Sequence, residues 1–290
     1  MQKVWIVVVT LAVLLMSVSA PGQATQVDRC VGVIGDSIPA GTFVVEAPGL
    51  GFPVVRAPTF ASVLAGYLGQ VGALDVRVMD YSVSASSLSG RRGVPYTKTA
   101  AWRAALTSGC QAMMIFPWLN DLPPAPEATL ARAYTLRLRL IAWALRFFDR
   151  SGPGQPERVI LMLSHYPVIE TPVGQLVYEG TLNNVTVGVM SAAWREACTE
   201  RGVLGAQRGI RCLDLGPLLQ PTPDYVLQTI PRAVYEAQGY APAEPQFADV
   251  LNVYWQTNPD GALVADGAHL NATGKQRVAV AVAAALGYGP

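Results

Sequence analysis

Val31-Gly32-Val33-Ile34-Gly35-Asp36-Ser37-Ile38-Pro39-Ala40-Gly41 is the stretch on which the reading of this chain turns. Its first four residues form an apolar, largely β-branched run, which reads as a strand, and Gly35-Asp36-Ser37 ends it. Working outward, the same kind of run recurs at 76–79, 112–116, 159–163 and 211–215. Helical spacing fills the intervals at 59–68, 100–106, 127–148, 182–201 and 275–286. In the longest of these, Leu136, Leu140, Trp143 and Phe147 share one stripe, and Gly202 reads as the cap of the helix over 182–201. Strands alternating with helices imply a parallel sheet covered on both faces. The expected fold is therefore α/β: a three-layer α/β/α sandwich around a central five-stranded, mostly parallel sheet of flavodoxin-like order. In such sheets ligands bind at the carboxyl ends of the strands, which is where Ser37 falls. Two stretches lack clean periodicity, 42–58 and the proline- and aromatic-rich 221–259. The longer one reads as a lid or binding insertion. Its Tyr225, Tyr235, Tyr240, Tyr254 and Trp255 suit either a lid or a local core.

A serine hydroxyl is a weak nucleophile until a neighbouring base takes its proton. Histidine suits that task because its ordinary pKa lies near neutrality. The chain has two histidines, His165 and His269. His269 stands three residues after Asp266, close enough in a tight turn for the carboxylate to fix the imidazole tautomer. His165 lies at the end of the fourth predicted strand with no acid at matching spacing, so it is a pocket candidate. Strand three ends in Pro117-Trp118-Leu119-Asn120-Asp121, and the C-terminal region holds Asp266-Gly267-Ala268-His269-Leu270-Asn271.

Together these pieces resemble the SGNH (GDSL-type) hydrolase superfamily in its GDS serine, GxND asparagine and DxxH pair. The resemblance follows block order and spacing over nearly the whole chain after residue 24. It implies Ser37 as nucleophile, His269 as general base and Asp266 as the orienting acid. It also implies an oxyanion hole made of the Ser37 N–H, a backbone N–H after strand two and the Asn120 side chain. The chain departs from the family pattern twice. Asp80-Tyr81-Ser82-Val83-Ser84-Ala85 places Ala85 where the family has the oxyanion glycine, and Trp118 stands where glycine is usual. A backbone N–H survives the first change if Ala85 need not adopt a positive φ. The second would place a large ring there that narrows or reshapes the pocket. Asp36 reads as a brace for the serine loop, and Asp260 as a surface turn residue.

The resulting function is a serine hydrolase cleaving carboxylic esters through an acyl-serine intermediate, an esterase, lipase or carbohydrate deacetylase. An O-acyltransferase built on the same residues and a non-catalytic glycan- or lipid-binding module are the alternatives. No cofactor is expected, and the partner is a small-molecule, glycan or lipid ester. A dinucleotide site is excluded because strand one runs into Gly-Asp-Ser-Ile-Pro-Ala-Gly rather than G-x-G-x-x-G. The α/β-hydrolase elbow is excluded because Pro39 takes the second glycine position of G-x-S-x-G. With two histidines and no C-x-x-C pair, a metal site is poorly supplied. Net charge is +1 and 14% of residues are charged, so nothing points to nucleic acid. Arg91-Arg92, the longest basic cluster, reads as a solvated loop.

Lys3, the apolar run from Val4 to Met16 and the small residues that follow have the order of a secretory signal, expected to cover 1–24. The apolar run is about 13 residues, shorter than the ~20 needed to span a bilayer. The expected product is a secreted or periplasmic single domain over 25–290 with no stable membrane span. Cys30 and Cys110 each precede a strand, and those strands are neighbours in a flavodoxin-like order. Cys198 and Cys212 flank one short loop. The expected pairs are Cys30–Cys110 and Cys198–Cys212. Asn184 and Asn271 match the glycosylation acceptor pattern.

Overall fold

A computed structural model describes residues 29–123, 127–148, 158–207, 209–219 and 223–289. The expected signal at 1–24 lies outside them. Five strands form the central sheet: β1 (Arg29–Ile34), β4 (Val76–Asp80), β7 (Ala112–Ile115), β8 (Val159–Leu163) and β9 (Ile210–Leu213). Their order is β4-β1-β7-β8-β9, and all four pairings are parallel. The flavodoxin-like sandwich expected from the sequence is present. Both faces are covered, so the inner strands are apolar throughout: every residue of β7 is buried, as are Val31, Val33 and Ile34 of β1.

The sheet order reverses direction at β1, and right-handed crossovers then place the connecting helices on opposite faces. Helix α2 (Phe60–Gln70) packs with α9 (Ala272–Leu286), and α4 (Ala128–Phe147) packs with α6 (Asn184–Ala197). Helix α3 (Ala100–Leu106) lies between β4 and β7 in the chain. Local chemistry fixes the starts of these helices. Thr59, Thr99, Asn183 and Asn271 each accept a hydrogen bond from a first-turn N–H of the helix they precede.

Two helical expectations need correction. The face that α4 buries carries Tyr134, Leu138, Ile141 and Leu145, while Leu136, Leu140, Trp143 and Phe147 are exposed. This helix has two apolar stripes, and the sheet takes the one that also presents small Ala131 and Ala142 for close approach. Helix α6 ends at Ala197 with Cys198 as its cap, short of Gly202. Cys198 is tied to Cys212 in β9, and Cys30 to Cys110, the pairs expected.

A second sheet replaces the loops read at 42–58 and 221–259. Its strands are β2 (Thr42–Glu46), β3 (Val54–Arg56), β10 (Thr229–Pro231), β11 (Ala241–Pro242) and β12 (Ala262–Ala265). Their order is β10-β12-β2-β3-β11, with every pairing antiparallel. Helices α7 (Arg232–Ala237) and α8 (Pro245–Thr257) join them. Tyr235, Tyr240, Tyr254 and Trp255 are buried in the separate core of this layer with Phe43, Val45 and Leu263, whereas Tyr225 belongs to the main core. Each strand is two to five residues long, and β2 pairs with a strand more than two hundred positions away. Periodicity in a local window cannot reveal such a sheet.

Candidate active site

Strand β1 delivers Ser37 into a one-turn helix, α1 (Ser37–Ala40). The turn is tight: a Cβ on Gly35 would stand 2.6 Å from Pro39 and 2.8 Å from Phe116. Asp36 is fully buried and does the bracing assigned to it. Its Oδ1 accepts from the Ile38 N–H at 3.1 Å, and its Oδ2 from the Leu119 N–H at 2.9 Å and Asn120 Nδ2 at 3.4 Å. One carboxylate thereby ties the end of β1 to the end of β7. Burial pushes Asp36 up to about 6, against the hydrogen bonds and the His269 charge, which lower it.

Asn120 sits in a 3-10 turn over Leu119–Asp121, and its Nδ2 also donates to the Ser86 carbonyl at 2.9 Å. Asp121 accepts from the Leu88 and Ser89 N–H groups at 2.5 and 2.8 Å, holding the loop after β4 against that turn. Burial raises the Asp121 pKa, with the Ser89 and Leu88 hydrogen bonds opposing. The condition read from the sequence fails: Ala85 stands at φ 56°, the left-handed conformation that its side chain disfavours, so the residue keeps its N–H at the expense of backbone strain. Its carbonyl accepts from the Val94 N–H at 3.0 Å, closing the short ladder of β5 (Ser86–Ser87) and β6 (Val94–Pro95). Trp118, expected to line and narrow the pocket, is instead fully buried. Its indole lies 5.3 Å from the Tyr96 ring and donates to Ser86 Oγ at 3.2 Å, so the ring supports the Ala85 loop from below.

Asp266 and His269 occupy a buried turn after β12. Asp266 Oδ1 accepts from the Ala268 and His269 N–H groups at 2.9 and 3.1 Å, and Oδ2 stands 2.6 Å from His269 Nδ1. Burial alone would raise the Asp266 pKa. The His269 charge and these hydrogen bonds outweigh it and hold the carboxyl below its usual range. His269 Nε2 is buried and makes no hydrogen bond among the described residues. With Nδ1 committed to the carboxylate, Nε2 is the nitrogen left for a proton transfer. The turn is held from three sides: Tyr166 donates its hydroxyl proton to the Ala268 carbonyl, the Ile169 N–H donates to Gly267, and the Leu227 N–H donates to His269. Phe43 of β2 packs its ring 5.3 Å from the imidazole.

Two residues of this cluster carry no motif. Tyr178, just past α5 (Pro172–Val177), is buried. Its pKa is raised far above the ordinary value by burial first, then by the charges of Asp266 and Asp36. The His269 charge is felt at Asp36, the residue before Ser37, while His269 Nε2 makes no hydrogen bond to the Ser37 hydroxyl. Arg92 was expected in a solvated loop, but its side chain is 13% exposed. It donates to the Tyr178 carbonyl and Thr181 Oγ1, each at 2.8 Å, and pairs with Glu179 at 2.8 Å. The Ala85 loop is thereby clasped to the Tyr178 turn.

His165 is buried among apolar groups, with its ring 5.4 Å from Tyr134. Burial lowers it to about 4, offset in part by the Trp118 backbone, and it pairs with no acid. It lines a cleft of about 500 Å³ between Ile169, α6 and Tyr225; none of Ser37, Asp266 and His269 lines that cleft. Asp260 is exposed. Asn184 is bonded to both backbone groups of Val168, and Asn271 caps α9. Among the described residues no group of three or more His, Cys, Asp or Glu is placed to hold a metal ion.

Three solved structures share this arrangement of elements. Est24, a carbohydrate acetylesterase from Sinorhizobium meliloti, superposes with a TM-score of 0.53 at 14% identity, over 89% of this chain and 98% of that one. The aryl esterase of M. smegmatis gives 0.51 at 16% identity over 89% and 98%. A carbohydrate acetylesterase family member from Sinorhizobium meliloti gives 0.50 at 17% identity over 89% and 97%. The chain has the fold of solved esterases. That agrees with the SGNH resemblance of its motifs, and the likeness spans nearly the full length of each esterase. No protein-family model matches the chain, and no curated protein sequence matches it.

Proposed function

We propose that the protein is a secreted serine hydrolase that cleaves carboxylic esters through an acyl-serine intermediate. The observation that carries this reading is the buried Asp266–His269 pair at 2.6 Å, which leaves Nε2 without a partner among the described residues and whose charge reaches Asp36, next to Ser37. As Ser37 Oγ attacks the acyl carbonyl, His269 Nε2 takes its proton and Asp266 stabilises the imidazolium. The carbonyl oxygen becomes an oxyanion facing the N–H groups of Ser37 and Ala85 and the Asn120 amide. A first-turn N–H such as that of Ser37 has no acceptor within its own helix. The long 3.4 Å contact from Asn120 to Asp36 is the one an oxyanion would replace. Collapse breaks the ester C–O bond, and the alcohol leaves with the proton from His269. Water, deprotonated by the same nitrogen, then releases the acid.

The fold shared with a carbohydrate acetylesterase and an aryl esterase supports ester chemistry. Two disulfides fit an oxidising compartment outside the cytosol. Within a single domain over 25–290, the second sheet serves as the wall of the substrate site, since its Phe43 touches the catalytic imidazole. The test is turnover of a short-chain chromogenic ester by wild type, Ser37→Ala and Asp266→Asn, with and without an added polyol. Both variants are expected to lose a thousandfold or more in kcat, on the order of what triad substitutions cost elsewhere. Unchanged turnover in Ser37→Ala overturns the assignment. Acyl transfer to the polyol in preference to water would make the protein an acyltransferase.

A further inference from the structure

The exposed stripe of α4 is continuous along the helix. Leu136, Leu140, Trp143 and Phe147 are 48, 64, 55 and 66% exposed. Trp143 and Phe147 stack at 5.0 Å, and Phe148 meets Phe147 edge-on at 5.1 Å, giving an aromatic ridge at the helix end. Scattered exposed apolar residues are ordinary, but a contiguous row marks a contact surface. At 100° per residue, Arg132, Arg139 and Arg146 run along one side of this row and Arg137 along the other. From Ala128 to Phe148 the chain has four arginines and no acidic residue, although the whole protein carries a net charge of only +1. Glu127 and Asp149 bound that stretch in sequence and Arg137 lies near Asp121, so the charge around the apolar row is net positive but partly countered. Glu196 on α6 faces it, 3.5 Å from Arg132, and both of those side chains are mostly exposed.

We propose that this face of α4 docks the protein on an anionic lipid surface, with the helix in the interfacial plane. An apolar row of leucines and aromatic rings flanked by arginines is the pattern of a helix lying at the headgroup boundary. Tryptophan and phenylalanine enter the acyl edge while guanidinium groups stay among the phosphates. The charge also decides between possible occupants. Two copies meeting through this face would bring eight arginines together, whereas anionic headgroups neutralise them. No helix among the described residues is long and apolar enough to cross a membrane, so the contact is peripheral. This inference does not depend on the chemistry at Ser37.

The test is flotation of the full chain with vesicles of phosphatidylcholine alone and of phosphatidylcholine mixed with phosphatidylglycerol. Residues 1–28 are common to wild type and variants, so differences between proteins report on α4. Wild type is expected to prefer the phosphatidylglycerol vesicles and to be partly released by high salt. A Leu140→Glu, Trp143→Glu variant is expected to lose at least tenfold in partitioning, with thermal stability and ester turnover in solution unchanged. Arg137→Gln with Arg139→Gln is expected to lose the preference for the anionic vesicles while keeping the apolar row. Equal partitioning of wild type and the glutamate variant, or no preference of wild type for the anionic vesicles, overturns the proposal. So does a wild-type dimer in sedimentation that the glutamate substitutions dissociate, because the stripe would then be covered by a second copy.

Discussion

Ala85 holds its backbone at φ 56° beside the serine turn, and that conformation costs a side-chain-bearing residue roughly 1–2 kcal/mol. Glycine removes the strain but gives up about 0.5–1 kcal/mol through the freedom of the unfolded chain. Ala85→Gly is therefore expected to gain up to about 1 kcal/mol in urea denaturation while keeping kcat; a loss of stability would contradict the strain. His165 makes a second residue-scale prediction. Its folded pKa of about 4 lies below the ordinary 6.5, so its contribution to stability is full above pH 6.5 and fades as pH falls through 4. That loss amounts to roughly 3 kcal/mol and is absent in His165→Leu. The stability of the variant relative to wild type should rise as unfolding is measured from neutral pH toward pH 4, and a flat difference would refute it. The Asp266–His269 contact and the bonds of Asp36 were legible in the sequence because each is local or adjoins a motif: three residues separate Asp266 from His269, and Asp36 adjoins Ser37. The clasp of Arg92 on the Tyr178 turn was not, because it joins two loops whose meeting depends on the fold.

The turn from Asp266 to His269 is the element on which the proposed base depends, and its glycine has no substitute. Gly267 has φ 72°, and a Cβ there would stand 1.9 Å from the Ile169 carbonyl oxygen. Gly267→Ala should cost more than about 2 kcal/mol and remove ester turnover, read by urea denaturation and a chromogenic assay; a variant of unchanged stability would mean the turn is not held in this form. Elements of the parallel sheet were readable because each is a local run: β8 and α3 fall where the periodicity puts them. The small sheet was not readable, because β3 and β11 have only three and two residues and pair with each other across most of the chain. Helix α4 was readable as a helix but not in its orientation. Both of its faces are apolar, and only packing against α6 and the sheet decides between them.

At the scale of the molecule, the two sheets each contribute part of the proposed site. The main sheet supplies Ser37 and Asn120 from the carboxyl ends of β1 and β7, where an α/β sheet binds its ligands. The antiparallel layer supplies His269 from the turn after β12 and Phe43 behind it. The Cys30–Cys110 bridge joins the opposite, amino ends of β1 and β7, and Cys198–Cys212 ties α6 to β9, which leaves the catalytic edge unconstrained by either bond. The account rests on Ser37 being the nucleophile activated by His269. Its most direct test is to treat the folded protein with a fluorophosphonate and locate the adduct by peptide mass spectrometry. The account predicts a single adduct on the peptide bearing Ser37, lost in Ser37→Ala and strongly slowed in His269→Ala. An adduct on another residue, or none on folded wild-type protein, would contradict it.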